Sequence, residues 1–339
     1  MSQNIADFSI CTLASHSALQ ILKGARDEGI HTIAICERRH LKTYESFKVA
    51  DEIIVVDEFS ELPNLDAQLA EKNAILIPHG SLVNVLNFQQ ITNLKVGYFG
   101  NKNVLALESD RQKQRQWLKE AGLTTPKIFT DPADINGPVI IKFDGAGGGK
   151  GYFLAHNPEE FERKIAEHPG RKYIIQEYII GAPIYMHFFQ SSLTGEIEIM
   201  SFDRRYESNV DSVGRISAKD QLDLNIETSY NIVGNLSLVI RESLLSRVLE
   251  MGESVVKASK EHDGTGLFGP FCLETIITPD LEFYVFEISA RIVAGTNPYI
   301  NGSPYTDLRY NEPMSTGRRI AREIKHAIEQ DRLQEILSK

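Results

Sequence analysis

The stretch Lys142-Phe143-Asp144-Gly145-Ala146-Gly147-Gly148-Gly149-Lys150-Gly151 decides the fold. Val139-Ile140-Ile141 precedes it and Tyr152-Phe153-Leu154 follows, so it reads as a strand, a glycine loop and a second strand. A Walker loop needs Gly-x-x-x-x-Gly-Lys, then Ser or Thr, then a helix. Here the spacing is one residue short, Gly151 replaces the hydroxyl residue, and a strand follows. What remains is a glycine cover whose backbone N–H groups can wrap phosphates, with Lys142 and Lys150 supplying charge. A mobile hairpin turn is the plainer reading, but five glycines exceed what a turn needs.

Before this loop the chain alternates. Phe8 to Ala14, His31 to Cys36, Glu52 to Asp57, Ala74 to Pro78 and Lys95 to Phe99 read as strands. Ala18 to Glu28, Glu61 to Lys72 and Leu82 to Leu94 between them read as helices. That alternation predicts a parallel, doubly wound sheet. No Gly-x-Gly-x-x-Gly follows the first strand, which argues against a dinucleotide site there. Ser15-His16-Ser17 and His79-Gly80-Ser81 each follow a strand and open a helix. Strands one and four commonly flank the switch point of such a sheet, so His16 and Ser81 can meet on one phosphate. Plain N-capping by Ser15 and Ser81 is the alternative.

A second unit begins near Asn101. Ser109 and Gln112 suggest a capping box for a helix running to Gly122. Arg111 in its first turn opposes the helix dipole and hints at a nearby anion. Trp117 on that helix reads as a packing residue. Val139 to Glu207 is mostly strands, with one helix announced by Asn157-Pro158. Gln176-Glu177-Tyr178-Ile179 ends a strand before a glycine break at Gly181. Asp203-Arg204-Arg205-Tyr206-Glu207 places two cations at another strand end, and Asn235 reads as a turn residue. Glu242 to Glu261 is a long amphipathic helix, and Arg318 to Leu337 a closing one. Phe271 to Ile277 and Glu282 to Ile288 form a hairpin, and a turn closed at Asp280 and Leu281 sets Glu274 opposite Glu287. Like charges in that position repel. A hard divalent cation would relieve them, or Arg291 would neutralise them.

The chain has 339 residues and a net charge of −10, which suits two domains of a soluble globular protein and argues against general nucleic-acid binding. Attraction for small anions then has to come from local cations such as Arg111, Lys142, Lys150, Arg204, Arg205 and Arg291. No leader and no membrane span is read, and Cys11, Cys36 and Cys272 read as buried free thiols; the expectation is a cytoplasmic protein.

The order of these features resembles that of the ATP-grasp enzymes. Five longer stretches resemble one family among them, the archaeal formate-dependent FAICAR synthetases. They are Ala14-Ser15-His16-Ser17, Pro78-His79-Gly80-Ser81, Asp203 to Asn209, Gly269 to Glu274 and Phe286 to Asn297. The resemblance implies an α/β and α+β architecture: a Rossmann-like domain over residues 1–104, then an ATP-grasp module over 105–339. Within the module, a glycine-loop lid takes about 126–182 and a large catalytic subdomain 183–339.

The implied activity is formylation of AICAR (5-aminoimidazole-4-carboxamide ribonucleotide) to FAICAR with formate and ATP, through formyl phosphate, in purine synthesis. Implied roles follow residue by residue. His16, Ser81 and Asn235 match AICAR contacts. Lys142, Gly147, Gly148, Gly149, Lys150, Gln176, Glu177, Ile179 and Glu207 match ATP contacts, with Arg111 and Arg291 as phosphate contacts. Glu274 and Glu287 match ligands of magnesium or manganese, and Lys142 and Arg291 the groups that stabilise charge in catalysis. Many ATP-grasp enzymes carry Asn two residues after the second metal glutamate, where this chain has Ser289. A trimer or hexamer is implied, with no nucleic-acid or membrane partner. The competing readings are a ligase for another carboxylate–amine pair and a non-catalytic nucleotide-binding paralogue.

Overall fold

The computed structural model describes residues 4–143, 151–207, 213–224 and 231–338. Gly147, Gly148, Gly149 and Lys150 lie outside the described residues. The described residues build three sheets.

The first contains β1 (Ser9–Leu13), β2 (His31–Glu37), β3 (Glu52–Val56), β4 (Ala74–Leu76) and β5 (Gly97–Phe99), paired in parallel. All five residues of β1 are buried, as expected for a strand covered by helices on both faces. β1 pairs with β2 on one side and β4 on the other, so the switch point lies between β1 and β4 as the alternation predicts. The helix expected over Leu82 to Leu94 is two helices, Gly80–Val85 and Phe88–Thr92. Leu86 is extended, and the Asn87 side chain accepts from Gln90 N at 2.9 Å. That capping box restarts the helix, because Asn bonds local backbone better at a cap than inside a turn.

The second sheet is antiparallel: β6 (Ile128–Phe129), β7 (Val139–Phe143), β8 (Tyr152–Ala155) and β9 (Tyr173–Glu177), in the order β6-β9-β7-β8. Asn157 caps the helix Pro158–Ile165, as its sequence announces. Phe161 from that helix packs with Val139, Ile141 and Ile175.

The third sheet, also antiparallel, has β10 (Ala182–Gln190), β11 (Ile197–Glu207), β12 (Ile232–Leu238), β13 (Gly269–Ile277) and β14 (Phe283–Ser289), ordered β12-β11-β10-β13-β14. One face presents Phe188, Phe202, Phe271 and Leu273 to the helix Leu245–Asp263. Period-two alternation sends Tyr185, Asp203, Arg205, Glu274 and Glu287 to the other face. Trp117 is fully buried in the apolar layer, and its Nε1 donates to Val255 O at 3.0 Å. Its helix, Arg111–Glu120, is capped by Asp110 rather than Ser109: Asp110 Oδ1 accepts from Gln112 N and Lys113 N. Ser109 Oγ instead donates to Ala106 O.

The closing helix is Thr316–Glu329, shorter than expected. The chain turns through Asp331 at a φ of 55°, and β15 (Leu337–Ser338) joins the first sheet antiparallel to β5. Leu337 is thus a strand residue, not a helical one. Ile320, Ile324 and Ile328 pack with Ile10, Ile21 and Ile75. Two glycines allow this approach: a Cβ on Gly24 would lie 2.2 Å from Arg318 N, and one on Gly317 2.3 Å from Gln20 O.

Candidate functional site

The glutamates face each other as the sequence predicts, by a route it does not predict. At the turn, Thr278 N donates to Glu282 O, and Thr275 pairs with Val285, one residue out of the expected register. A bulge in β14 at Phe286 restores it, and Glu274 pairs with Glu287. Glu274 is 4 % exposed, whereas Glu287 is open to solvent. The cation in direct contact is Arg205, with Arg291 adding its field: Arg205 Nη2 donates to Glu274 Oε1 at 2.7 Å, and its guanidinium stacks 4.1 Å from the Tyr185 ring centroid. Burial, with the Glu287 charge adding to it, lifts the Glu274 carboxyl to about 7 against the pull of Arg205 and Arg291. Glu274 Oε2 is buried with no partner among the described residues. An acceptor-only oxygen in that state, next to a second carboxylate, fits a hard divalent cation. No cluster of three acidic, His or Cys ligands exists among the described residues, so a metal there would complete its shell with phosphate oxygens or water. Ser289 shares the face, paired with Cys272. The Asn297 amide is engaged elsewhere, with Gln20 and with His16 O.

Lys142 reaches this pair from β7. Its Nζ donates to Gln176 Oε1 at 3.3 Å and sits 5.4 Å from the ring centroid of Phe286, the bulge residue. Burial lowers the Lys142 pKa; Glu287 and Glu274 oppose that, while Arg111 and Arg115 add to it. Five charged groups on four elements therefore share one field, and Arg111 is among them as its unfavourable helix position suggests. Arg115, one turn on, had no sequence signal beyond that spacing. Gln176 joins the site; the Glu177 carboxylate is turned to Lys127 N at 3.0 Å, at the β9–β6 edge. Ile179 is half-buried just past β9, and Glu207 ends β11 opposite Ile232.

The switch-point loops converge from the first sheet. Ser15 Oγ and Ser81 Oγ lie 2.5 Å apart. His16, at a φ of 55°, stacks on His79 with ring centroids 5.3 Å apart and planes within 2°. Burial pushes the His16 pKa down to about 2, with His79, Arg291 and Arg205 adding to it. Burial likewise takes His79 to about 4. His79 Nε2 donates to Leu13 O at 2.9 Å, and its Nδ1 accepts from Ser81 N. Both rings are neutral near pH 7, so an anion brought to His16 would meet an N–H donor rather than a cation. His79 had no separate role in the sequence reading, yet it orients both Ser81 and His16.

Arg291 joins the two halves. It follows β14, next to the bridge between Ile292 and His79. Its Nη2 lies 3.1 Å from Glu108 Oε1, while Nε is buried without a partner among the described residues. The Ala290 N–H holds Glu108 in place at 2.8 Å. Asn235 is not a turn residue: it lies within β12, opposite Arg205, and its Nδ2 donates to Asp203 Oδ2 at 2.7 Å. Electrostatic influence therefore runs from the neutral His16 on the switch-point side, through Arg205 and Arg291, to Glu274, and from there with Glu287 to Lys142. This arrangement suits a phosphorylated ligand beside a metal-bound nucleotide. The three cysteines are buried and free, as expected, and no described helix is long and apolar enough to cross a membrane.

Two family models match the chain, "Protein of unknown function (DUF1246)" over residues 10–129 and "Domain of unknown function (DUF1297)" over residues 158–338. The 5-formaminoimidazole-4-carboxamide-1-(beta)-D-ribofuranosyl 5'-monophosphate synthetase of Pyrococcus abyssi is 54% identical over 336 residues, covering 97% of this chain and 98% of its own. Its counterpart in Methanocaldococcus jannaschii is 45% identical over 347 residues, covering 99% and 96%. Among solved structures, an IMP biosynthesis protein, PurP, from Thermococcus kodakaraensis superposes with a TM-score of 0.76 at 28% identity, covering 97% of this chain and 100% of that one. The N5-carboxyaminoimidazole ribonucleotide synthetase of Thermotoga maritima, at 17% identity and a TM-score of 0.63 over 94% and 75% of the two chains, shares the fold. On sequence and fold together, the chain belongs to the 5-formaminoimidazole-4-carboxamide ribonucleotide synthetase family of ATP-grasp ligases.

Proposed function

We propose that this protein formylates the 5-amino group of AICAR with formate and ATP, giving FAICAR, ADP and phosphate on the route to IMP. One observation carries the reading. The switch-point pair His16–Ser81 and the carboxylate pair Glu274–Glu287 share the field of the same two arginines, Arg205 and Arg291. An amine on a nucleotide held by the first pair lies beside a phosphate held near the second.

Formate is a poor electrophile because its charge is delocalised over two oxygens. Attack of a formate oxygen on the γ-phosphorus releases ADP and forms formyl phosphate, whose phosphate is a good leaving group. The 5-amino nitrogen of AICAR then adds to the formyl carbon, the C–O bond breaks, and the amine loses a proton. Catalysis is chiefly positioning and charge stabilisation. Lys142 and Arg291 would stabilise the transferring phosphoryl group; Lys142 already has its ammonium directed by Gln176. His16, Ser81 and Asn235 would hold AICAR. Arg111, Gln176, Glu177, Ile179, Glu207 and the loop residues Gly147, Gly148, Gly149 and Lys150 would hold ATP. Glu274 and Glu287 would hold magnesium or manganese, which when bound offsets the negative charge of the phosphates. The loop would exclude water from formyl phosphate. We place the enzyme in the cytoplasm, as a homo-oligomer of three or six chains.

The test is ADP release with each substrate omitted in turn. Turnover that requires ATP, a divalent metal, formate and AICAR together supports the reading. ADP formation indifferent to AICAR and formate overturns it.

A further inference from the structure

A pair of side chains beneath the polar face of the third sheet has no part in the chemistry above. His187 in β10 and Asp203 in β11 are 2 % and 1 % exposed. His187 Nε2 lies 2.7 Å from Asp203 Oδ1, and the other carboxylate oxygen takes the Asn235 hydrogen bond at 2.7 Å. The backbone at Gly295 closes over them: a Cβ there would lie 2.1 Å from Asp203 Oδ1 and 2.8 Å from His187 Cε1. Tyr299 Oη accepts from Leu238 N at 2.7 Å and donates to Phe202 O, which ties β12 to β11 beside the pair. His187 Nδ1 and its cross-strand neighbour Ser201 Oγ are buried with no partner among the described residues. Unsatisfied buried polar atoms destabilise a fold. A pair that brings such a penalty points to a role other than packing.

Donor and acceptor chemistry fixes the direction of the chain. A carboxylate only accepts. His187 therefore presents Nε2–H to Asp203, and Asn235 presents its NH2. That leaves the Asn235 carbonyl oxygen facing away from Asp203. An isolated asparagine can present either end of its amide to a ligand; this one cannot.

We propose that Asp203, steadied by His187, is a positioning residue that locks the Asn235 amide with its carbonyl oxygen toward the nucleotide. It thereby selects a ligand offering an N–H donor there, a carboxamide rather than a carboxylate. This deepens the proposed function and rests on AICAR being seated at Asn235. Asp203→Asn keeps the shape but can donate to Asn235 Oδ1, so the amide is free to reverse.

The experiment measures AICAR and ATP binding by calorimetry, and KM for each substrate, in Asp203→Asn, His187→Gln, His187→Phe, Asn235→Ala and the Asp203→Asn/Asn235→Ala double variant. The 4-carboxylate analogue of AICAR serves as competitor. Asp203→Asn and His187→Phe are expected to raise the AICAR Kd and KM about tenfold or more and to narrow the preference over the carboxylate, with ATP constants unchanged. His187→Gln keeps an N–H donor and stays near wild type. In the Asn235→Ala background, Asp203→Asn adds nothing. Equal losses for AICAR and ATP, or additive losses in the double variant, overturn the proposal. If Asn235→Ala leaves AICAR binding unchanged, the seating of AICAR at Asn235 fails and the proposal with it. Should Asp203→Asn not fold, the His187→Gln and His187→Phe comparison decides alone.

Discussion

Glu274→Gln should make the protein more stable in alkali while abolishing turnover. Burial lifts the Glu274 carboxyl from its ordinary 4.5 to about 7. A group whose folded pKa is raised contributes stability that is fully present below its unfolded pKa and lost as pH rises through its folded pKa. For Glu274 that window runs from about 4.5 to about 7. Each unit is worth about 1.4 kcal/mol, so the whole window is on the order of 3 kcal/mol, of which about 2 to 3 kcal/mol falls between pH 5 and pH 8. Glutamine resembles the protonated acid in size and charge and does not titrate. The assay is urea unfolding of wild type and Glu274→Gln, without metal or nucleotide, from pH 5 to pH 8. Comparing the two removes the shared titration of other groups. The variant should gain about 2 to 3 kcal/mol relative to wild type across that range, and ADP release should vanish. Parallel pH profiles for the two proteins would refute the claim that Glu274 is held uncomfortably charged in the empty site.

His16→Ala should raise the AICAR KM about tenfold while leaving that of ATP nearly unchanged, since one ligand hydrogen bond is lost; equal losses for both would make His16 structural. Gly80→Ala places a Cβ 2.7 Å from His16 Nε2, so it should reproduce the His16→Ala defect, read by AICAR calorimetry, with His16 itself intact. Trp117→Ala empties a fully buried site and removes the hydrogen bond to Val255 O, and should lower unfolding free energy by about 3 to 5 kcal/mol in urea.

Alternation and glycine spacing made the architecture legible because parallel strands and helices leave strong periodic signals. The Rossmann-like sheet, the helix behind Asn157 and the Glu274–Glu287 pairing all follow from residues that speak locally. The misses share a physical cause: a local signal was outweighed by a neighbour or by a distant partner. Asp110 outcompetes Ser109 at a cap because its carboxylate takes two backbone N–H groups. Leu337 leaves the helical period because β5 offers it a strand edge. Arg205 lies near a strand end with no local sign of its partner, and only the fold brings Glu274 within 2.7 Å of it. The Asp203–His187–Asn235 chain joins three strands, and no sequence spacing encodes such a contact. The bulge at Phe286 is subtler still. An assumed turn register and an unseen bulge differ by one residue each, and they cancel at the glutamates.

The net charge of −10 makes the local field decisive. ATP, formate and AICAR are all anions, and the protein as a whole repels them. Arg205 and Arg291 share one field with Glu274; Lys142, Arg111 and Arg115 share another around the same glutamate; at the proposed site these local charges would answer that repulsion.

The central claim is that formate is activated as formyl phosphate at this site. Formate labelled with 18O on both oxygens tests it most directly, with the released phosphate read by mass spectrometry or by the isotope shift in its 31P resonance. If a formate oxygen attacks the γ-phosphorus and the amine then displaces phosphate from the formyl carbon, each phosphate released carries one formate oxygen. Unlabelled phosphate, formed alongside FAICAR, would contradict the account.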